Sequence, residues 1–232
     1  HLSIRRQRQM CIETATVKIW DVSKQQCTFT FDGLKTQTND LAWSPNGSLL
    51  AATTKDKLVS VFDPRQGNGS LQSSKAHDGA RQQKLTWLGD SERIFTCGFE
   101  INERQYAVWD VRNFAAPVIK RRLDEYGSVP FLVFDEEHKI VFVSGKGESS
   151  TTIFNTIQQA NLIDSLGVYK GKDLTRGFSF LPKTGLDLNN NEIAKGVRLT
   201  TNHIEYVSFK VPRRGGGFQP DLYPPIRSQE PA

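Results

Sequence analysis

The stretch "QYAVWDV", Gln105 to Val111, closes a short apolar run with an aromatic residue and an acid. The same pattern returns as "TVKIWDV" around Trp20, "LVSVFDP" around Phe62 and "STTIFNT" around Phe154. The four aromatic residues follow one another at steps of 42, 47 and 45 residues. A period of this length indicates an array of similar supersecondary units.

A second series of aromatic residues lies between the members of the first. It consists of "NDLAWSPNG", "QKLTWLGDS", "PFLVFDEEH" and "RGFSFLPKT", at steps of 44, 47 and 46 residues between the aromatics. A third apolar run follows in three units, as "LLAATT", "RIFTCGF" and "KIVFVSG". Each unit is therefore predicted to contain three short strands separated by turns such as "SPNG" and "LGDS".

An acidic residue stands six positions ahead of the closing aromatic residue in three units, as Asp56, Glu103 and Glu148. A carboxylate in such a turn is expected to accept backbone N–H groups. The positions predicted to form the structural repeat are Trp20, Asp21, Asp56, Phe62, Asp63, Glu103, Trp109, Asp110, Glu148 and Phe154.

Short strands at this period, with a Trp-Asp pair at the end of a strand, are the signature of WD40 β-propeller blades. The predicted fold is all-β, with a partial WD40 propeller over residues 15–211 that comprises about four blades and part of another. The last unit is longer, and we assign its excess of about ten residues to the loop "GLDLNNN". Residues 1–14 do not match the repeat and are expected to be disordered or a boundary artefact.

Several stretches also resemble the coronin family. They include "GFEINERQYAVWDVRN", "FSFLPKTGLDLNNNEIAKGVRL" and, most specifically, "VPRRGGGFQPDLYPP", and the likeness extends from about Ala15 to Pro231. The resemblance implies a seven-bladed propeller of which this chain supplies a part, binding to filamentous actin, and no catalysis. Both a short coronin, with a linker and coiled coil, and a long coronin with two propellers are compatible with it.

The formal net charge of +5 is concentrated in basic runs, at Arg5 to Arg8, Lys120 to Arg122 and Arg213 to Arg214. Such runs are commonly solvated faces, and the alternative is attraction to an acidic protein surface, phospholipid or nucleic acid. Nucleic acid is not expected as a partner, because the aromatic residues fall at strand positions that face neighbouring blades. The candidate partner-binding patch is Lys120, Arg121, Arg122, Arg213 and Arg214.

No combination of residues indicates an enzyme, a metal site or a cofactor. His77, His138 and His203 lie far apart on predicted loops, where we expect loop or blade-edge hydrogen-bond donors. Neither a membrane span nor a secretion signal is visible, and three widely spaced cysteines indicate free thiols. The resemblance implies a cytoplasmic protein of the actin cytoskeleton. The alternative is a WD40 scaffold that binds trafficking proteins on Golgi or vesicle membranes.

The segment "PRRGGGFQPDLYPPI", Pro212 to Ile226, is too rich in proline and glycine for a regular element. We call residues 212–232 the tail. Its apolar residues Phe218, Leu222 and Tyr223 are expected to be buried, so that the tail straps the propeller. The alternative is a flexible linker that carries these side chains in solvent.

Overall fold

The structure is a computed structural model that describes residues 15–67, 72–101, 103–156, 163–214 and 217–224. The predictions for residues 1–14, including the basic run at Arg5 to Arg8, lie outside these ranges. The described residues form seventeen strands in five antiparallel sheets. None of the helical segments in these ranges has the length and apolar character needed to span a membrane. The chain divides into two compact units, of which unit 1 extends to Gly127 and unit 2 begins at Ser128.

Unit 1 contains one two-stranded sheet and two four-stranded sheets. Strands β1 (Val17–Asp21) and β2 (Gln26–Phe31) pair with each other. The second sheet has the order β3 (Thr38–Trp43), β4 (Leu50–Thr54), β5 (Leu58–Phe62) and β6 (Gln72–Lys75). The third has β7 (Lys84–Trp87), β8 (Arg93–Phe99), β9 (Arg104–Asp110) and β10 (Ile119–Asp124).

Unit 2 contains a four-stranded sheet, a three-stranded sheet and the described part of the tail. The first sheet has the order β11 (Pro130–Asp135), β12 (Ile140–Gly145), β13 (Ser150–Asn155) and β14 (Asp164–Lys170). The second has β15 (Gly177–Phe180), β16 (Glu192–Leu199) and β17 (Ile204–Lys210). The predicted insertion lies between β15 and β16, where the chain forms two short 3-10 turns, Lys183–Gly185 and Leu188–Asn190.

The three strands predicted for each sequence repeat are confirmed. The four-stranded sheets also contain a fourth strand that the sequence did not reveal. This outer strand is β6, β10 or β14. The sequences of these strands are "QSSK", "IKRRLD" and "DSLGVYK", which lack a continuous apolar run. An edge strand needs fewer apolar side chains because it has a strand neighbour on one side alone, and charged residues are common there.

The cores of both units are built from the repeated aromatic residues. In unit 1, Trp109 is fully buried and packs in one cluster with Val61, Trp87 and Phe114. Phe62 and Phe154 are also buried, in unit 1 and unit 2 respectively. The closing aromatic residue thus packs in the core at these three positions.

Trp20 differs from the other closing aromatic residues, because its side chain is 41% exposed. It lies on β1, in the two-stranded sheet, which offers fewer neighbouring strands than the complete sheets. The repeat position alone therefore does not determine burial. The number of strands around the position also matters.

In unit 2, Phe142 of β12 packs against Phe180 and Phe209, with ring centroids 4.6 and 4.8 Å apart. Phe180 and Phe209 belong to the three-stranded sheet, so these contacts join the two sheets of unit 2. Burial of large aromatic side chains contributes strongly to the stability of such an interface.

Candidate interaction site

A buried chain of hydrogen bonds crosses the sheet β7–β10 of unit 1. The indole Nε1 of Trp109 donates to Thr96 Oγ1 at 3.0 Å, and Thr96 Oγ1 lies 3.0 Å from His77 Nε2. All three side chains are buried. Burial lowers the pKa of His77 to about 4, and the charge of Lys120 acts in the same direction. His77 is therefore neutral at physiological pH.

His77 lies in a loop, as expected, but its side chain is buried. His77 follows β6, and its ring lies against Gly98, where a Cβ atom would come within 2.5 Å of the imidazole. Glycine at position 98 is thus required by the close approach of the histidine. A buried tryptophan N–H usually needs a hydrogen-bond acceptor. This requirement is the signal from which a polar neighbour of Trp109, such as Thr96, could have been predicted.

In three of the four repeats, the acid that follows the closing aromatic residue caps the turn after its strand. Asp110 Oδ1 accepts the backbone N–H of Arg112 at 3.0 Å, and Asp63 Oδ1 accepts that of Arg65 at 2.9 Å. Asp21 Oδ1 likewise accepts the N–H of Ser23 at 3.0 Å. The side-chain hydrogen bond from Arg112 lowers the pKa of Asp110 to about 2.

The other three acids of the repeat contact side chains. Asp56 Oδ1 accepts from the Thr54 hydroxyl at 2.5 Å, and Glu103 Oε1 accepts from Gln105 Nε2 at 2.7 Å. Glu148 accepts a hydrogen bond from the hydroxyl of Ser128. The prediction of backbone N–H donors is therefore wrong for Asp56 and Glu103 within the described residues.

The basic run at Lys120 to Arg122 lies on the edge strand β10. Lys120 Nζ is 3.0 Å from Glu100 Oε1, and Arg122 Nε is 3.1 Å from Glu103 Oε2. Arg121 is exposed, and its side chain has no hydrogen-bond or ion-pair partner in the part of the chain that the structure describes. The charge that this run can offer to a partner is thus mainly that of Arg121.

The arginines of the tail also differ from each other. Arg213 Nη2 pairs with Asp221 Oδ2 at 2.6 Å, within the tail itself. Arg214 is exposed, and no described residue is an ion-pair partner for it. Within the described ranges, three of the five residues of the predicted patch are thus paired with an acid, and the side chains of Arg121 and Arg214 are not.

The tail contacts both sheets of unit 2. His138 Nε2, in the turn between β11 and β12, donates to the backbone oxygen of Leu222 at 2.8 Å. The hydroxyl of Tyr223 lies 3.3 Å from the oxygen of Leu188 and 3.2 Å from that of Glu192, beside the other sheet. The side chain of Leu222 is buried.

Phe218 does not follow the prediction for the tail, because its side chain is 54% exposed. Its ring stacks on that of Tyr223, with the centroids 5.6 Å apart and the planes at 11°. Phe218 thus shields Tyr223 from one side and does not enter the core.

A compact group of charges positions His138 for its contact with the tail. Lys183 Nζ lies 2.6 Å from Asp135 Oδ1, 2.7 Å from Glu137 Oε2 and 3.0 Å from His138 Nδ1. Burial raises the pKa of Asp135, but hydrogen bonds from His138 and Lys183 outweigh this effect and leave the pKa lowered. The ammonium group therefore occupies the position where two carboxylates and an imidazole converge.

We expect replacement of Leu222 with Ala to destabilise unit 2 by about 2 kcal/mol, because it removes a buried aliphatic side chain. Phe218→Ala is the control in the same tail, and its effect should be about 1 kcal/mol or less because the ring is exposed. Thermal unfolding followed by circular dichroism, together with limited proteolysis of the tail, measures both effects. Equal melting temperatures and equal cleavage rates for the two variants and the parent would show that the tail is a free linker.

These features define the class of protein. Four-stranded antiparallel sheets, the repeated aromatic-acid pairs and the buried Trp–Thr–His chain give this chain the fold of a WD40 propeller domain. A family model described as a type of WD40 repeat matches residues 204–232. Domains of this class mediate protein–protein interaction, so the fold supports a role as an interaction scaffold.

Among solved structures, the WD40 domain of a coronin from Toxoplasma gondii is similar to this chain, with a TM-score of 0.87 and 33% sequence identity. The match covers 96% of this chain and 57% of the coronin chain, so this chain spans little more than half of that length. A chain of the mitotic checkpoint complex has a TM-score of 0.65 at 16% identity, with 85% of this chain and 58% of that chain covered. The second match supports the fold alone.

Proposed function

We propose that this chain is part of a non-catalytic, actin-filament-binding protein of the coronin type. The observation that supports this proposal most strongly is the 33% identity to a coronin WD40 domain across 96% of the chain. The stretches that resemble coronins include the tail segment "VPRRGGGFQPDLYPP", which follows the last strand, β17. The proposal implies a location at the actin cytoskeleton in the cytoplasm.

Electrostatics identify Arg121 as the first residue to test for a filament contact. Actin filaments are acidic, and the net charge of +5 on this chain favours association with such a surface. Lys120 and Arg122 are already paired with Glu100 and Glu103 in unit 1. The guanidinium of Arg121 can form new hydrogen bonds with a carboxylate without breaking an existing ion pair.

We expect the 232-residue chain to sediment with actin filaments, and Arg121→Glu to weaken that binding about fivefold through loss of an exposed ion pair. Lys146→Glu is the control, because Lys146 is exposed and the substitution changes the net charge by the same amount. Binding should also weaken as salt rises, since the Debye length falls from about 10 Å at 0.1 M to about 3 Å at 1 M.

The outcomes of this experiment separate two statements. A folded chain that stays in the supernatant at every actin concentration contradicts actin binding by this chain. If the Arg121→Glu and Lys146→Glu variants bind filaments equally well, the proposal of actin binding stands. The basic run of β10 is then a solvated edge and not the contact surface. No contact among the described residues favours the trafficking scaffold over actin binding.

A further inference from the structure

A second group of a histidine and carboxylates lies in unit 2, away from the tail contacts. Asp173 belongs to the connection from β14 to β15, while His203 and Glu205 lie at the start of β17. His203 Nε2 is 3.8 Å from Asp173 Oδ2 and 3.5 Å from Glu205 Oε2. One potential ligand atom from each of the three side chains lies within 4.8 Å of the other two.

Hydrogen bonds to Thr200 hold His203 in place. Thr200 Oγ1 donates its hydrogen to the backbone oxygen of His203 at 2.9 Å and accepts the backbone N–H of His203 at 3.1 Å. The same hydroxyl lies 3.2 Å from His203 Nδ1. The other ring nitrogen, Nε2, faces the two carboxylates.

The carboxylate of Glu205 is also held in place. Its Oε1 atom pairs with the guanidinium of Arg198, a side chain that is only 1% exposed. The Oε2 atom is left to face His203 at 3.5 Å. A fixed imidazole and a fixed carboxylate are the outer-shell arrangement that orients metal ligands in proteins.

The two histidine–carboxylate groups of unit 2 differ in what lies at their centre. In the group of Asp135, Glu137 and His138, the ammonium of Lys183 is within 3.0 Å of a ligand atom of each residue. In the group of Asp173, His203 and Glu205, no lysine side chain among the described residues is recorded in contact with these atoms. The cation recorded at this group is the guanidinium of Arg198, which contacts Glu205 Oε1 and leaves Oε2 to face His203.

We propose that Asp173, His203 and Glu205 bind a divalent transition-metal ion, with Zn²⁺ as the best match. Neighbouring ligand atoms of a tetrahedral zinc ion are about 3.3 Å apart, given bond lengths near 2.0 Å. The two distances from His203 Nε2, 3.5 and 3.8 Å, need a small contraction to reach this value. The ligand atoms of Asp173 and Glu205 lie within 4.8 Å of each other and approach by at most about 1.5 Å. Imidazole nitrogen favours zinc over calcium and magnesium, which prefer oxygen ligands alone.

The proposed site has a structural consequence for unit 2. Three protein ligands leave a fourth coordination position for water, and the ion links the β14–β15 connection to the β16–β17 turn. The inference is independent of actin binding, since it depends only on the side-chain geometry of unit 2.

Isothermal titration of the 232-residue chain with zinc chloride near pH 7.5 tests the site. We expect one zinc ion bound per protein chain at this site, and at least tenfold weaker zinc binding after His203→Ala or Asp173→Asn. Asp164→Asn is the matched control, because Asp164 is an exposed carboxylate on β14 outside the group. Asp173 and His203 are about half exposed, so both substitutions are expected to leave the fold intact, which circular dichroism checks.

A second measurement identifies the ligands. Cobalt substituted for zinc should give the visible absorption of a four-coordinate N/O site. This absorption should be lost in the His203→Ala variant. Absence of zinc uptake at 100 µM, or equal affinity of the His203→Ala, Asp173→Asn and Asp164→Asn variants, would overturn the proposal.

Discussion

Replacement of Trp109 with Ala is expected to lower the free energy of unfolding of unit 1 by about 3–5 kcal/mol, the range for deletion of a buried aromatic side chain. Trp109 is 0% exposed and lies 5.4 Å from Phe114, measured between ring centroids. The substitution leaves a cavity in the core cluster. It also removes the donor that reaches Thr96 Oγ1.

Trp20→Ala is the matched control, because Trp20 occupies the same position in the repeat but is 41% exposed. We expect this substitution to cost about 1 kcal/mol, as is usual for a partly exposed side chain. Urea unfolding followed by circular dichroism compares the two variants without relying on tryptophan fluorescence. Equal losses for both variants would show that the repeat position, and not its burial, determines the contribution to stability.

Acidification from pH 6.5 to pH 4 is expected to destabilise unit 1 by on the order of 3 kcal/mol through His77. Burial holds the pKa of the folded-state imidazole at about 4, against 6.5 for an ordinary histidine. Between these pH values the unfolded chain binds a proton that the folded chain does not. Stability therefore falls as the pH decreases through this window and is unaffected by His77 above it.

Urea midpoints measured at several pH values between 4 and 7.5 give the slope of stability against pH. His77→Gln removes the titrating group, and its curve should be flatter in this window than that of the parent. Asp110, with a pKa lowered to about 2, titrates below the window and does not obscure the comparison. Parallel curves for the parent and the His77→Gln variant would contradict a buried, neutral histidine.

The fold was largely predictable from the sequence because the repeat combines apolar periodicity with fixed aromatic positions. The runs "LLAATT", "RIFTCGF" and "KIVFVSG" correspond to β4, β8 and β12. The outer strands could not be predicted in the same way, because edge pairing depends on backbone hydrogen bonds more than on apolar side chains. The basic run of β10 was consequently interpreted by its charge and not by its secondary structure.

The candidate sites were less predictable, because they depend on contacts between distant segments. The pairing of Lys120 with Glu100 joins residues on either side of β9, and no local pattern indicates it. Likewise, His138 and Leu222 are 84 positions apart in the chain. Proline and glycine content indicated an extended tail, but could not show that Leu222 is buried while Phe218 remains exposed.

The contacts of the tail determine where a recombinant fragment of unit 2 should end. A boundary chosen from the strands alone would fall after β17, at about Val211, and would retain every strand of the unit. Such a fragment would lack Leu222 and Tyr223, and would expose the surface that they cover near His138 and Glu192. An affinity or fluorescent tag joined after Pro224 preserves these contacts. A tag inserted at Val211 would instead separate Leu222 and Tyr223 from the sheets that they contact.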